Sequence, residues 1–217
     1  MSTATTDRPS PPQRQRRADG ERTRSAILRA AASLATVDGL DGLSIGNLAA
    51  ATGISKSGLY AHFGSKQEMQ LATVEEAERI LDEEVVQVAL AAPDGLLRLA
   101  AACEAFFSYV ERRVFPGGCF FAATAMEMGT RPGPVRDRIA GVQAGFTAFL
   151  GSCAATAIEQ HELPATEDPT LLAFELHSIL LGADTNFILH DDPGAMELGR
   201  RGVRHRLGLD GPGLPTS

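Results

Sequence analysis

Ser44-Ile45-Gly46-Asn47-Leu48-Ala49-Ala50-Ala51-Thr52-Gly53-Ile54-Ser55-Lys56-Ser57-Gly58-Leu59-Tyr60-Ala61-His62-Phe63 is the stretch that decides the fold. Two short helical patterns flank Gly53, and glycine supplies the positive φ that a sharp helix-to-helix turn needs. Ile45, Leu48 and Ala49 repeat at helical spacing and predict one buried face. Ile54, Leu59 and Phe63 close over it from the second helix. Lys56, Ser57, Tyr60 and His62 remain outward, and all four carry hydrogen-bond donors suited to phosphates or base edges. The pattern is a helix-turn-helix whose second helix would read a groove.

The charge distribution agrees with contact at one end only. The net charge of −7 has the wrong sign for a uniformly basic nucleic-acid binder. Residues 1–70, however, hold nine Lys/Arg and six Asp/Glu, while the rest of the chain holds 11 and 21. A basic front third thus sits on an acidic body. The 217 residues are rich in Ala, Leu and Gly, lack Trp and contain few β-branched runs, which points to an all-α protein with room for a substantial core.

The segment Ser-Ile-x-x-Leu-Ala-x-x-Thr-Gly-Ile-Ser-Lys-Ser-x-Leu-Tyr-x-His-Phe-x-Ser-Lys-x-x-Met resembles the N-terminal signature of the tetracycline-repressor (TetR/AcrR) family of bacterial regulators. The resemblance runs from about Thr23 to Leu71 and is most specific from Leu59 to Lys66. Gln67 departs from the family, which usually has Glu or Asp there. The Phe-Pro-Gly-Gly-Cys run at Phe115–Cys119 and the Arg-Pro-Gly-Pro-Val-Arg run at Arg131–Arg136 look more loosely like the C-terminal domain of one large subgroup. The resemblance implies a three-helix DNA-binding domain followed by an α-helical ligand-binding and dimerisation domain, about nine helices in all. The expected divisions are a disordered basic tail at 1–19, the DNA-binding domain at 20–67, the body at 68–210 and a second disordered tail at 211–217.

Several local signals place the helices. The first should run from about Thr23 to Val37, with Ile27, Ala30, Ala31 and Leu34 inward, Arg22, Arg24 and Arg29 outward, and Gly39 ending it. Ser44 suits an N-cap, and Ser65 with Glu68 reads as a capping box opening a helix that continues to about Ala91. Further helices are expected at about Leu96–Val114, Cys119–Met128 and Pro134–Gln160. Asp168-Pro169 and Asp192-Pro193 each offer an N-cap followed by a proline at N1, opening helices to about Leu189 and Leu207. In the front tail, Arg14, Arg16 and Arg17 are either a solvated charge run or an arm touching the minor groove or backbone.

The expected DNA contacts are Ser44, Ser55, Lys56, Ser57, Gly58, Tyr60, His62 and Lys66, with Gly58 letting the helix backbone approach closely. The partners are a palindromic double-stranded operator and a second copy of the chain, because two short reading helices set ~34 Å apart multiply specificity. The family resemblance implies that the last two helices form a four-helix dimer interface, with Leu172, Leu176, Ile179, Leu180, Phe187, Met196, Val203 and Leu207 as candidates. The alternative is that these faces pack on the body. It also implies a pocket for an unidentified small-molecule effector. Candidate lining residues are Phe106, Phe107, Tyr109, Phe120, Phe121, Met126, Phe146 and Phe149, with Cys103, His177 and Asp184 as polar options.

Other functions find less support. Gly42-Leu43-Ser44-Ile45-Gly46 is a literal GxSxG, but no strand pattern precedes it, as a nucleophile elbow requires. No metal cluster, P-loop, dinucleotide fingerprint or cofactor motif is legible, so no enzyme is indicated. Cys103, Cys119 and Cys153 are odd in number and widely spaced, a pattern of a reducing compartment. They leave a redox-sensing regulator as the alternative reading. The front lacks the apolar core of a signal peptide, and the most apolar stretch, Cys119–Met126, is too short to span a bilayer, so a cytoplasmic location without membrane contact is expected.

Overall fold

Gly53 takes φ +70° after α2 (Ile45–Thr52), and its N–H closes the helix on the Ala49 carbonyl. The chain then turns into α3 (Lys56–Tyr60), capped by Ser55. Before this pair lies α1 (Gln13–Asp38), and after it α4 (Lys66–Leu81). The computed structural model describes residues 13–209, with side chains from residue 20 onward. α1 therefore begins at Gln13 rather than near Thr23, and the backbone of 13–19 is helical where a disordered tail was expected. The side chains of Arg14, Arg16 and Arg17, and the segments 1–12 and 210–217, lie outside the described residues.

α4 runs without a break through a π-helical turn (Asp82–Val86) into α5 (Gln87–Leu90). The body continues with α6 (Leu96–Glu111), α7 (Phe120–Met128), α8 (Pro134–Glu159), α9 (Pro169–His190) and α10 (Gly194–Arg206). With the α4–π–α5 run taken as one, nine helices and no strand occur among the described residues. Ser44 and Asn47 form a full capping box, each side chain meeting the other's backbone N–H. Ser65 accepts from Glu68 N–H, but the Glu68 carboxylate reaches back one residue further, to Gly64 N–H. Asp168 accepts from the N–H groups of Thr170 and Leu171, as an N-cap should.

One core runs from the helix-turn-helix into the body. On α1, Ile27, Leu28, Ala31, Ala32 and Ala35 are buried, while Ala30 and Leu34 are half-buried beside them. Leu48, Leu59 and Phe63 close over this face. In the body, aromatic rings pass contact from Phe146 to Phe106, Tyr109, Phe115, Phe120 and Phe121, with centroids 5.2–6.3 Å apart. Such offset and edge contacts add to the area each ring buries.

α8 and α9 are long and apolar enough to cross a bilayer by length and composition alone. That corrects the expectation built on Cys119–Met126. In this fold both helices pack against each other and against α6 and α7.

Candidate DNA interface

The reading surface is assembled by caps and by one long arginine. Ser55 accepts from Gly58 N–H at 3.2 Å and fixes the start of α3. Leu59 points inward and is fully buried, so its helical neighbours Lys56, Ser57 and Tyr60 are turned outward. Tyr60 is 66% exposed. Arg24, from α1, donates to the His62 carbonyl at 3.0 Å, and its guanidinium lies 5.2 Å over the Phe63 ring. This clasp holds the end of the reading helix on α1. Sequence reasoning left Arg24 on an outward face, and its partner lies 38 residues away.

A hollow of about 370 Å³ lies between the starts of α2 and α4 and the flank of α3, lined by Ser44, Gly46, Lys56, Tyr60, Ser65 and Lys66 among others. It opens where two capped helix N-termini present their first N–H groups beside a lysine and a phenol, an arrangement suited to phosphate.

The eight expected contacts divide into groups. Lys56, Ser57 and Tyr60 are exposed on α3, and His62 is half-buried at its end. Ser44 and Ser55 are exposed but engaged as caps. For Ser44 that engagement, at a loop-to-helix start, also replaces the nucleophile reading of the GxSxG. Gly58, half-buried on α3, sits where its own turn is tight. A Cβ there would meet Ile54 Cγ2 at 3.1 Å and Ser55 Oγ at 3.3 Å, on the inner side of its own turn. Lys66 stays exposed on this surface but is already engaged: its Nζ donates to the Asp41 carbonyl at 2.5 Å and to the Asp41 carboxylate at 3.2 Å.

Asp41 is the point where the body grips this domain. Arg131, from the α7–α8 turn, pairs with its other oxygen at 2.7 Å. Arg131, and then Lys66, hold its carboxyl below the usual carboxylate range. Glu127 of α7 accepts from Leu40 N–H at 2.7 Å and Asp41 N–H at 2.8 Å. Gly117 N–H donates to Thr36 Oγ1 on α1 at 3.1 Å. The next loop residues reach α9, where Cys119 N–H donates to Asp184 at 3.0 Å. Hydrogen bonds thus join α9, the α6–α7 loop and α1 in sequence.

The body places the other expected residues differently. Met126 is 90% exposed and lines no core space. Cys103, Phe107, Tyr109, Phe120 and Asp184 are buried core residues that line neither the α4–α8 groove nor the small cavity beneath it. Phe106, Phe121, Phe146 and His177 do wall that cavity, of about 10 Å³, and Phe146 and Phe149 line the groove. His177 is a satisfied core histidine: its Nδ1 meets Thr147 Oγ1 at 2.9 Å, its ring stands edge-on to Phe146, and burial lowers its pKa.

Of the expected interface residues, Leu172, Leu176, Leu180, Phe187, Met196, Val203 and Leu207 are all buried within the single chain. They pack on the body, the alternative the sequence left open. The outward apolar surface of α9 and α10 is carried instead by Leu171, Phe174 and Leu198, the last two each 65% exposed. Beside them Ile179, Gly182, Asn186, Leu198, Arg201, Gly202 and others line a groove of about 650 Å³ between the two helices. Among the described residues no group of three or more His, Cys, Asp or Glu is placed to hold a metal.

Comparison with known proteins agrees with this architecture. The description "Bacterial regulatory proteins, tetR family" fits residues 27–73, and "Tetracyclin repressor-like, C-terminal domain" fits residues 95–203. The HTH-type transcriptional activator FasR of Mycolicibacterium smegmatis is 35% identical over 88 residues, a match covering 41% of this chain and 40% of FasR. A TetR transcriptional regulator from Chloroflexus aurantiacus superposes with a TM-score of 0.79 at 26% identity, over 88% of this chain and 95% of that one. AibR, solved with isovaleryl coenzyme A and operator DNA, superposes with a TM-score of 0.66 at 24% identity, over 84% of this chain and 97% of its own. With its capped helix-turn-helix, its all-helical body and both family regions matched, this chain belongs to the TetR family of bacterial transcriptional regulators.

Proposed function

We propose that this protein is a cytoplasmic, dimeric repressor that binds a palindromic operator and is released from it by a small-molecule effector. The observation that carries the reading is the outward set Lys56, Ser57 and Tyr60 on a helix fixed by Gly53, Ser55 and the Arg24 clasp. A five-residue reading helix contacts few bases, so two copies are needed for specificity. The exposed Phe174 and Leu198 on the α9–α10 face give a second copy an apolar surface to cover. Relief by a ligand is supported by the hydrogen-bonded route from α9 through Cys119 and Gly117 to α1, beside the Glu127 grip on the α1–α2 loop. The division into a reading domain at 20–67 and a body at 68–210 is part of the same proposal.

The likeness to FasR, an activator, favours activation as a second reading. A reporter under the promoter next to the protein's own gene separates the two: repression predicts higher expression when the gene is deleted, activation lower. Redox sensing has less support. Burial pushes the Cys103 and Cys119 thiols up to about 12, where they stay protonated and poorly nucleophilic, and Cys153 is also raised and buried. Peroxide treatment is therefore expected to leave DNA affinity unchanged.

A further inference from the structure

α4 and α8 lie side by side and leave a groove of about 470 Å³. That is within the ~300–1,000 Å³ typical of small-molecule sites. Leu81, Val86, Val142, Phe146 and Phe149 give it an apolar lining. Gly141 and Gly145, one turn apart on α8, also line it, and a Cβ built on either meets no atom within 4 Å. The side-chain volume left out at these positions is open space, not room taken by another helix. Leu81, Val142 and Phe146 also wall the small cavity in the core, so the groove floor is continuous with the interior.

The rim is charged, and its partners decide the net sign. Glu75, Glu78, Arg79 and Asp82 stand along it. Arg79 is engaged by Glu76 at 2.7 Å and by Glu83, and Glu78 is engaged by Arg138. Two carboxylates are left without a cation. Glu75 makes no hydrogen bond or ion pair with a described residue, and Asp82 receives only the neutral Gln87 amide, at 3.1 Å. They are seven residues apart, two turns on one face, so about 10 Å separates them along the rim. The π-helical turn begins at Asp82, and such turns within α-helices are frequent at functional sites.

We infer that this groove is the effector's seat and that the effector is a lipophilic organic cation. Its apolar body would lie on Phe146 and Phe149, and its positive centre between Glu75 and Asp82, with the aromatic faces adding cation–π attraction. The inference rests on the ligand-responsive reading above. It runs against an acyl coenzyme A here, since that ligand's phosphates would meet two uncompensated carboxylates.

The test is calorimetric titration of the full-length protein with tetraphenylphosphonium and with tetraphenylborate, ions of matched shape and opposite charge. The phosphonium is expected to bind at least ~10-fold more tightly, and Glu75→Gln/Asp82→Asn to lose about 10-fold of that affinity with the thermal midpoint unchanged. Gly145→Phe, which fills the groove from an exposed position, is expected to abolish binding. Equal or tighter borate binding, no phosphonium binding up to its solubility limit, or affinity unchanged in both variants overturns the inference. Repeating the titration on the protein–DNA complex separates the two levels. Phosphonium binding that leaves DNA bound keeps the groove assignment and removes ligand relief. Intact DNA binding with no phosphonium binding removes the groove assignment alone.

Discussion

Asp184 is carried into the core on α9, where it accepts one backbone N–H, that of Cys119. Burial pushes its carboxyl up to about 6 from 3.8, against the lowering effect of that hydrogen bond. Its folded-state value lies above the unfolded one, so the neutral form's stability is fully present below about pH 4 and is lost as pH rises through about 6. Asp184→Asn keeps the acceptor and removes the charge. It is expected to be more stable than the wild type by about 2–3 kcal/mol at pH 8, with the difference shrinking towards zero at pH 4. Urea unfolding at both pH values checks this, and a difference independent of pH would contradict it. Tyr109 offers a second test at this scale, because its buried hydroxyl makes no well-formed hydrogen bond among the described residues, with only the Phe120 backbone N–H close to it. Tyr109→Phe removes a desolvated polar group, so its melting temperature should equal or exceed the wild type's; a drop equivalent to ~1 kcal/mol or more would mean the hydroxyl is satisfied. Residues of this kind are hard to read in a sequence. The caps at Ser44, Gly53 and Asp168 were legible because their partners lie within four residues. Arg24 and Glu127 were not, since their partners lie 38 and 87 residues away.

Among the elements, α7 holds the reading domain by its backbone. Glu127 satisfies two N–H groups of the α1–α2 loop, and Arg131 adds an ion pair to the same loop at Asp41. Glu127→Ala leaves those donors without their acceptor, at about 1–3 kcal/mol. The loss should be local, with faster amide hydrogen exchange in α2 and α3 and none in α8 or α9. Exchange quickened evenly across the chain would argue that α7 supports the whole core instead. Gly117 marks a second close approach, because a Cβ there would lie 2.1 Å from the Thr36 carbonyl of α1. The helices themselves were largely legible, with most ends falling within a few residues of their caps and breakers. The faces of α9 were not. Leu, Ile and Phe occur on every side of it, so pattern alone could not say which side meets the body. Packing assigns Leu172, Leu176 and Leu180 inward and leaves Phe174 out.

At the scale of the whole molecule, the proposed dimer rests on the exposed apolar face of α9 and α10. Phe174→Asp/Leu198→Asp removes little from the protomer's own core, since both side chains are 65% exposed. In sedimentation the variant is expected to run as a monomer with its fold intact and its DNA affinity reduced at least ~10-fold, because one reading helix then works alone. A variant that remains dimeric would move the interface to another face.

The central claim is that Lys56 and Tyr60, held outward on α3, read DNA for a regulator. Its most direct test is binding of the full-length protein to the DNA just upstream of its own gene, across a salt series, beside Lys56→Ala/Tyr60→Ala. Tight, steeply salt-dependent binding absent on unrelated DNA is expected, with affinity lost in the variant and the salt slope lowered by about 1 for each phosphate contact removed. Equally weak binding of wild type and variant to every DNA tested would contradict it.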